Sequence, residues 1–423
     1  MEEKKLKINL GSFSLVKGLA MIVIVVTHML GRYDQTAMKV LYPLTAVCKA
    51  LDYAIMPMFF IISGFSFRKK TAKVMLKKSA GELLVPYLLV TAFVAALLPV
   101  VHYLCFRWWP GAIQEGSRYT LAYLLGIAKS GKSVGGISMY ECEVVWFLLA
   151  MFWAFQVLNL VLKLKNELAQ ALLITLGVIA GLILFQLDFT WFCIPQGLLG
   201  AGYCYLGYEI KVHNVLNKRR WMGPACILLA AAYILEVAFG EFRLSYGVFK
   251  YGLPDCVGAG CGGLLLFMAG AYFGQTEWRG LDWIRQTGIY SYWIMCIHSV
   301  EMAVIPWYLW STAMADHPLL AFFAEALIKA VVFTVVCLAL KKISQYRFRR
   351  KRKVSVEVLL SGTRGGLAFW GHSSVYYLLG SIISAWRRQG CEREETENKL
   401  RKLQPGQGHC NDPHCCGAYD RLL

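Results

Sequence analysis

The chain has 423 residues, of which 57% are hydrophobic and 17% charged, whereas a soluble globular domain carries about a quarter charged residues. Its net charge is +18, but the positive residues follow the borders of apolar runs, which excludes the nucleic-acid binding that a basic soluble chain would suggest. The runs are about twenty residues long, enough to cross a ~30 Å hydrocarbon layer as helix. Backbone in lipid must satisfy its own hydrogen bonds. The fold class is therefore all-α, a polytopic transmembrane bundle of about ten helices.

In chain order the predicted spans are 15–30, 52–67, 83–103, 144–162, 168–187, 191–210, 222–240, 255–274, 288–308 and 319–340. The first, Leu15 to Leu30, has no small-residue cleavage site after it and reads as a signal anchor. With the N-terminus inside, the inner segments hold 26 Lys and Arg and the outer loops 9, the asymmetry that sets orientation in a cell membrane. The tenth span then returns the chain to a basic run, Lys341 to Lys353, suited to anionic membrane lipid.

The largest outer loop, 104–143, contains Trp108, Trp109 and a weakly amphipathic stretch from Tyr119 to Ala128. That stretch either lies at the interface or folds back into the bundle. Beyond the basic run the composition changes, so the chain divides into a membrane domain, 1–345, and a basic cytoplasmic tail, 346–423. Gly366 to Trp386 in the tail is apolar enough for an extra interfacial or spanning helix. Of 14 cysteines, Cys48, Cys193, Cys204, Cys226, Cys256, Cys261, Cys296 and Cys337 fall in or beside apolar runs and pack as small hydrophobes. Cys105 and Cys142 share the large outer loop and can pair. No repeat is detectable, and nothing in the sequence specifies an oligomeric state.

Ionisable side chains inside spans are costly, and each needs a reason. Lys17 opens the first span and His28 closes it. Eleven residues at 1.5 Å rise separate them by roughly 16 Å, nearly on one face. One helix thus offers a cation at one membrane face and a proton acceptor towards the other. The bland alternative is a snorkelling lysine and a histidine bonded to a neighbouring helix. The second span ends in Met58 to Phe67, where Ser63 and Gly64 permit close helix contact. Arg68 and Lys69 follow at the inner mouth, where they can meet phosphates or simply mark the inner side. His298 and Glu301 lie one turn apart in the ninth span and read as a hydrogen-bonded pair or as a second polar site. Glu325 and Lys329 are four apart in the tenth and read as an ion pair. Glu141 and Glu143 precede the fourth span at the outer face, within reach of acceptor hydroxyls.

Four of these segments, in order, resemble the acyltransferase-3 family of integral membrane O-acyltransferases. They are Lys17 to Ala20 through Thr27-His28 (a basic residue, ten residues, then histidine), Met56 to Phe65, Val145 to Ala150, and Ser291 to His298. The resemblance covers about residues 10–340, with lysine at position 17 where arginine is commoner. Lysine keeps the charge but lacks the planar fork that suits phosphate.

The resemblance implies transfer of an acyl group, typically acetyl, from acyl-CoA on the cytoplasmic side to a hydroxyl of a carbohydrate or glycolipid towards the outer face. It implies His28 as general base. It places Lys17, Arg68 and Lys69 on the donor phosphates and Ser63 beside the thioester. Glu141, Glu143 and His298 become candidates for binding the acceptor. Acetyl-CoA is the expected donor, and no metal is expected. The alternative from another class is a transporter of a small solute or acylated product, which also uses intramembrane histidine and glutamate.

Two apparent motifs are set aside. Gly258 to Gly263 matches G-x-G-x-x-G but lies inside an apolar run without strand context, so helix packing explains it. His409, Cys410, His414, Cys415 and Cys416 match no standard zinc spacing.

Overall fold

The structure is a computed structural model that describes residues 10–33, 39–274 and 279–360, without the side chains of 10, 219–221, 279 and 343–360. Its helices are α1 (Ser14–Leu30), α2 (Tyr42–Ser66), α3 (Ala72–Ser79), α4 (Val85–Phe106), α5 (Trp109–Leu125), α6 (Trp146–Val161) and α7 (Glu167–Gln186). They continue as α8 (Ile194–Val212), α9 (Arg219–Phe239), α10 (Leu253–Phe273), α11 (Asp282–Ile289), α12 (Ser291–Val304), α13 (Trp307–Ala313) and α14 (Pro318–Leu360). Two short antiparallel hairpins interrupt the loops, β1 (Ser133–Val134) with β2 (Ile137–Ser138), and β3 (Phe242–Arg243) with β4 (Val248–Phe249). The tail expectations, the Gly366–Trp386 helix and the His409–Cys416 cluster, lie outside the described residues.

Eight helices among the described residues are long and apolar enough to cross a membrane, and they coincide with eight of the ten predicted spans. The other two are helical for different physical reasons. α8 carries Gln196, Glu209 and Lys211 among its glycines. It packs between α2, α6 and α7, so its surface is matched to other helices rather than to lipid. α12 has only 14 residues, about 21 Å of helix. The chain breaks at Pro306 and turns into α13.

Glycine decides how closely the central helices approach. A Cβ on Gly64 would overlap the Cys204 carbonyl, and one on Gly207 would overlap the Ile61 carbonyl, so α2 and α8 meet backbone to backbone. The same holds for α1 and α11, where Gly18 faces the Ile284 carbonyl and Gly288 faces that of Ser14. Gly258 and Gly262 accommodate Glu236 and Tyr233 of α9, while Gly263 accommodates Pro57 of α2. The glycine pattern of α10 is therefore a packing surface. The aromatic motif residues serve packing too, since Phe147 of α6 lies 5.0 Å from Phe60 and 5.8 Å from Phe59 of α2.

The outward faces of α7 and α9 expose Leu172, Leu176, Ile183, Ile227, Leu228 and Ile234, a surface that lipid rather than water would cover. α5 settles the open question about the large loop. It folds back onto α4, and Tyr123 is fully buried, its hydroxyl 2.9 Å from Ser299 Oγ of α12. Cys105 is exposed and Cys142 buried, and both are free thiols. The pairing suggested by their shared loop is not made, because one faces outward and the other inward.

Candidate active site

α1 positions the first functional side chain. His28 lies in its last turn, with Nδ1 2.8 Å from the carbonyl oxygen of Ile24. A carbonyl can only accept, so Nδ1 carries the hydrogen, and in the neutral ring Nε2 holds the lone pair. His28 forms part of the wall of a cavity of about 1070 Å³. Glu141, Glu143, Asp52, Tyr119, Tyr140, Tyr246 and Trp146 are also in that wall. The segment bearing Glu143 is unusual, because this residue has a left-handed backbone with φ 46°, a conformation that non-glycine residues rarely hold. Burial pushes the Glu141 carboxyl above its usual range, and the Tyr246 hydroxyl, which donates to it at 3.4 Å, pulls it back. Tyr119 and Tyr140 stack with centroids 4.4 Å apart, and the Arg118 guanidinium lies 4.3 Å above Tyr140.

Behind His28 runs a chain of ionic contacts from α12, α14 and the residues just after α1. His298 is fully enclosed, and its ring meets that of His28 at 5.6 Å, edge to face. Its Nδ1 lies 2.8 Å from Glu301 Oε1. Glu301 also accepts from Lys329 Nζ at 2.7 Å and from Trp307 Nε1 at 2.9 Å. Lys329 continues to Glu325 at 3.1 Å. Glu325 in turn accepts from Arg32 Nη1 at 2.7 Å and from the Tyr33 hydroxyl at 2.8 Å. Two carboxylates thus balance two cations, with Glu325 and Lys329 buried and Arg32 partly exposed at the cavity, as buried charge requires.

The sequence-predicted residues separate into two groups. His28, Glu141 and Glu143 come together around one cavity. His298 touches His28 but is not part of the cavity wall. Lys17, Ser63, Arg68 and Lys69 are likewise not part of that wall. Lys17 is half-buried at the opposite end of α1, and Arg68 and Lys69 are exposed on the extended segment after α2. Ser63 uses its hydroxyl hydrogen on the Phe59 carbonyl at 2.8 Å, which leaves its lone pairs, not a donor, for a ligand.

Sequence reasoning missed Arg32 and Tyr33, which it counted as loop. Arg32 follows His28 by four residues, one helical turn, and that spacing was the available signal. It also missed Arg285 on α11, one residue beyond the Ile284 carbonyl that Gly18 contacts. Nε and Nη2 of Arg285 are enclosed without hydrogen-bond partners, and Nη1 is 3.5 Å from Asp282.

The structure thus places His28, Glu141 and Glu143 around one cavity in a helical bundle. The profile of a protein family described as an acyltransferase domain matches residues 10–342. The chain belongs to the acyltransferase-3 family. Comparison with curated proteins and with solved structures finds no match. As an acyltransferase-3 member the chain is a multi-pass membrane acyltransferase. Family membership implies transfer to a hydroxyl of a carbohydrate-like acceptor. The matched segment holds every residue of the cavity wall and of the ionic chain behind it. Among the described residues no group of three or more His, Cys, Asp or Glu side chains is placed to hold a metal ion.

Proposed function

We propose that this acyltransferase-3 protein moves an acetyl group from cytoplasmic acetyl-CoA to a hydroxyl of a cell-surface or envelope carbohydrate. The observation that carries the reading is His28, with Nδ1 tied to its own helix and a basic Nε2 available at the cavity. A hydroxyl attacks a thioester poorly until a base removes its proton, and a neutral imidazole does this near pH 7. His28 Nε2 takes the hydroxyl proton as the oxygen bonds to the thioester carbon. The carbon–sulfur bond then breaks, and the CoA thiolate takes the proton from the imidazolium. Family membership favours this transfer over the transport alternative.

The cavity chemistry supports a hydroxyl-rich acceptor. The carboxyl groups of Glu141 and Glu143 accept hydrogen bonds from hydroxyls, and the tyrosine and tryptophan rings offer flat faces for the C–H side of a sugar. Lys17, Arg68 and Lys69 are assigned to the donor phosphates, with Arg285 added because its guanidinium has unused donors at the Lys17 end of the bundle. The positive-inside balance supports a plasma-membrane protein with this end in the cytoplasm and the cavity towards the outer face. The working domain is then 1–345, and the remainder is a basic cytoplasmic tail.

The test follows CoA release from acetyl-CoA by detergent-purified protein, with and without a mixture of envelope glycans. Glycan-stimulated release should fall by a factor of about 10² to 10⁴ in His28→Ala. Release that His28→Ala leaves unchanged would remove His28 as base while leaving the transferase. Folded wild-type protein that releases no CoA from any acyl-CoA would remove the donor assignment.

A further inference from the structure

His298 is enclosed at 0% exposure, yet its side chain makes a specific set of contacts. Nδ1 faces the Glu301 carboxylate at 2.8 Å, so Nδ1 carries the hydrogen and Nε2 the lone pair. That Nε2 is buried and has no hydrogen-bond partner. The ring is held edge to face between His28 at 5.6 Å and Phe333 at 6.0 Å. Glu301 cannot shift to release it, because Lys329 and Trp307 hold the same carboxylate.

His28, by contrast, has one intrahelical hydrogen bond, to Ile24, and a cavity on its open side. The second torsion of a histidine is broad and roughly two-fold. A flip of the ring would exchange Nδ1 for a carbon and turn the basic nitrogen away from its place. A single hydrogen bond resists that flip by about 1 kcal/mol, too little to hold one orientation almost completely.

We propose that His298 is a positioning residue that acts through His28, its ring clamped by Glu301 and packed against the base so that Nε2 of His28 stays directed for proton transfer. This rests on the reading of His28 as the base. It also explains a buried imidazole with an unused lone pair. With Nδ1 donating to Glu301, a neutral His298 brings no positive charge against a neighbour that becomes imidazolium during turnover. The clamp reaches further, since Lys329 links Glu301 to Glu325, which holds Arg32 and Tyr33 just after α1. The helix bearing the base and the residue that orients its ring are therefore fixed to one ionic chain.

The experiment uses full-length protein with ¹⁵N-labelled histidine in detergent micelles, with the His28 signals assigned by their loss in His28→Gln. Wild-type His28 should show one tautomer, protonated at Nδ1. In His298→Ala it should show both, with kcat lowered on the order of 10²-fold and acceptor KM unchanged. His298→Phe, which keeps a ring against His28, should keep the single tautomer and more of the activity, and it covers the case in which the alanine variant does not fold. A wild-type His28 protonated at Nε2 would overturn the proposal. So would an unchanged His28 signal and kcat in folded His298→Ala. If His298 controls the tautomer but the wild type transfers no acyl group, the positioning stands and the assigned reaction fails.

Discussion

At the scale of single residues the carboxyls around His28 are of two kinds. Those of the ionic chain have cations within hydrogen-bond distance, whereas Glu141 has only the Tyr246 hydroxyl at 3.4 Å. Burial raises its titration above the usual carboxylate range, because desolvation disfavours the charged form. The ionised carboxylate is the form that accepts hydrogen bonds from acceptor hydroxyls on both oxygens. Acceptor KM should therefore fall as pH rises through this raised range. Glu141→Gln should flatten that limb and leave donor KM unchanged, read as KM against pH for each substrate. The sign for stability is opposite. The native state keeps this proton to higher pH than the unfolded chain, so stability from the protonated group is lost as pH rises above the ordinary carboxylate value. Glu141 was readable in the sequence as an acid at the membrane border. Its neighbours were not, since Tyr246 is brought to it from the β3–β4 hairpin, far along the chain.

At the scale of elements, the ionic chain ties α14 to α1 and α12. Glu325 is 0% and Lys329 3% exposed, so their attraction acts with little screening, and removing Glu325 leaves two cations, Lys329 and Arg32, to the single Glu301 carboxylate. Glu325→Leu should lower stability by about 3–5 kcal/mol, measured as unfolding in detergent. Glu325→Leu with Lys329→Leu should recover part of that loss, because the charges left, Arg32 and Glu301, again balance, and Glu301 keeps His298 and Trp307 as partners. The i to i+4 pair was legible in the sequence because it is local to one helix. Its extension to Glu301, His298 and Arg32 was not, because those contacts join helices distant in the chain. The same division holds for α8. Its helicity was predicted, but its central position rests on the Gly64 and Gly207 contacts, which only the pairing of two helices makes visible.

At the scale of the whole molecule, the helix directions agree with an alternating chain. α1 runs parallel to α11 and α12, since Gly18 meets Ile284 near one end and His28 meets His298 near the other. The beginning of α14 meets the end of α1 through Glu325 and Arg32, so these two run oppositely. With the Lys17 end in the cytoplasm, the exposed free thiol of Cys105 at the end of α4 faces outward. A membrane-impermeant maleimide should label it in intact cells, and Cys105→Ser should abolish that labelling. Labelling only after the cells are opened would reverse the orientation.

Sequence alone determined the class of the molecule, the helices and the positions of its costly charges, because each depends on local chemistry. Twenty apolar residues must form helix in lipid whatever surrounds them, and Lys17 and His28 share one face by helical geometry. It also contained the family motifs, whose order along the chain is itself a sequence property. Only the tertiary structure decided which charges meet. It joined His28 to Glu141 and Glu143 around one cavity, enclosed His298 behind His28, and left Arg285 with unused donors beside α1. The physical reason is range. Hydrogen bonds and ion pairs act over a few ångströms, and the groups that make them are separated by up to 293 positions along the chain, so their encounter exists only once the helices have packed.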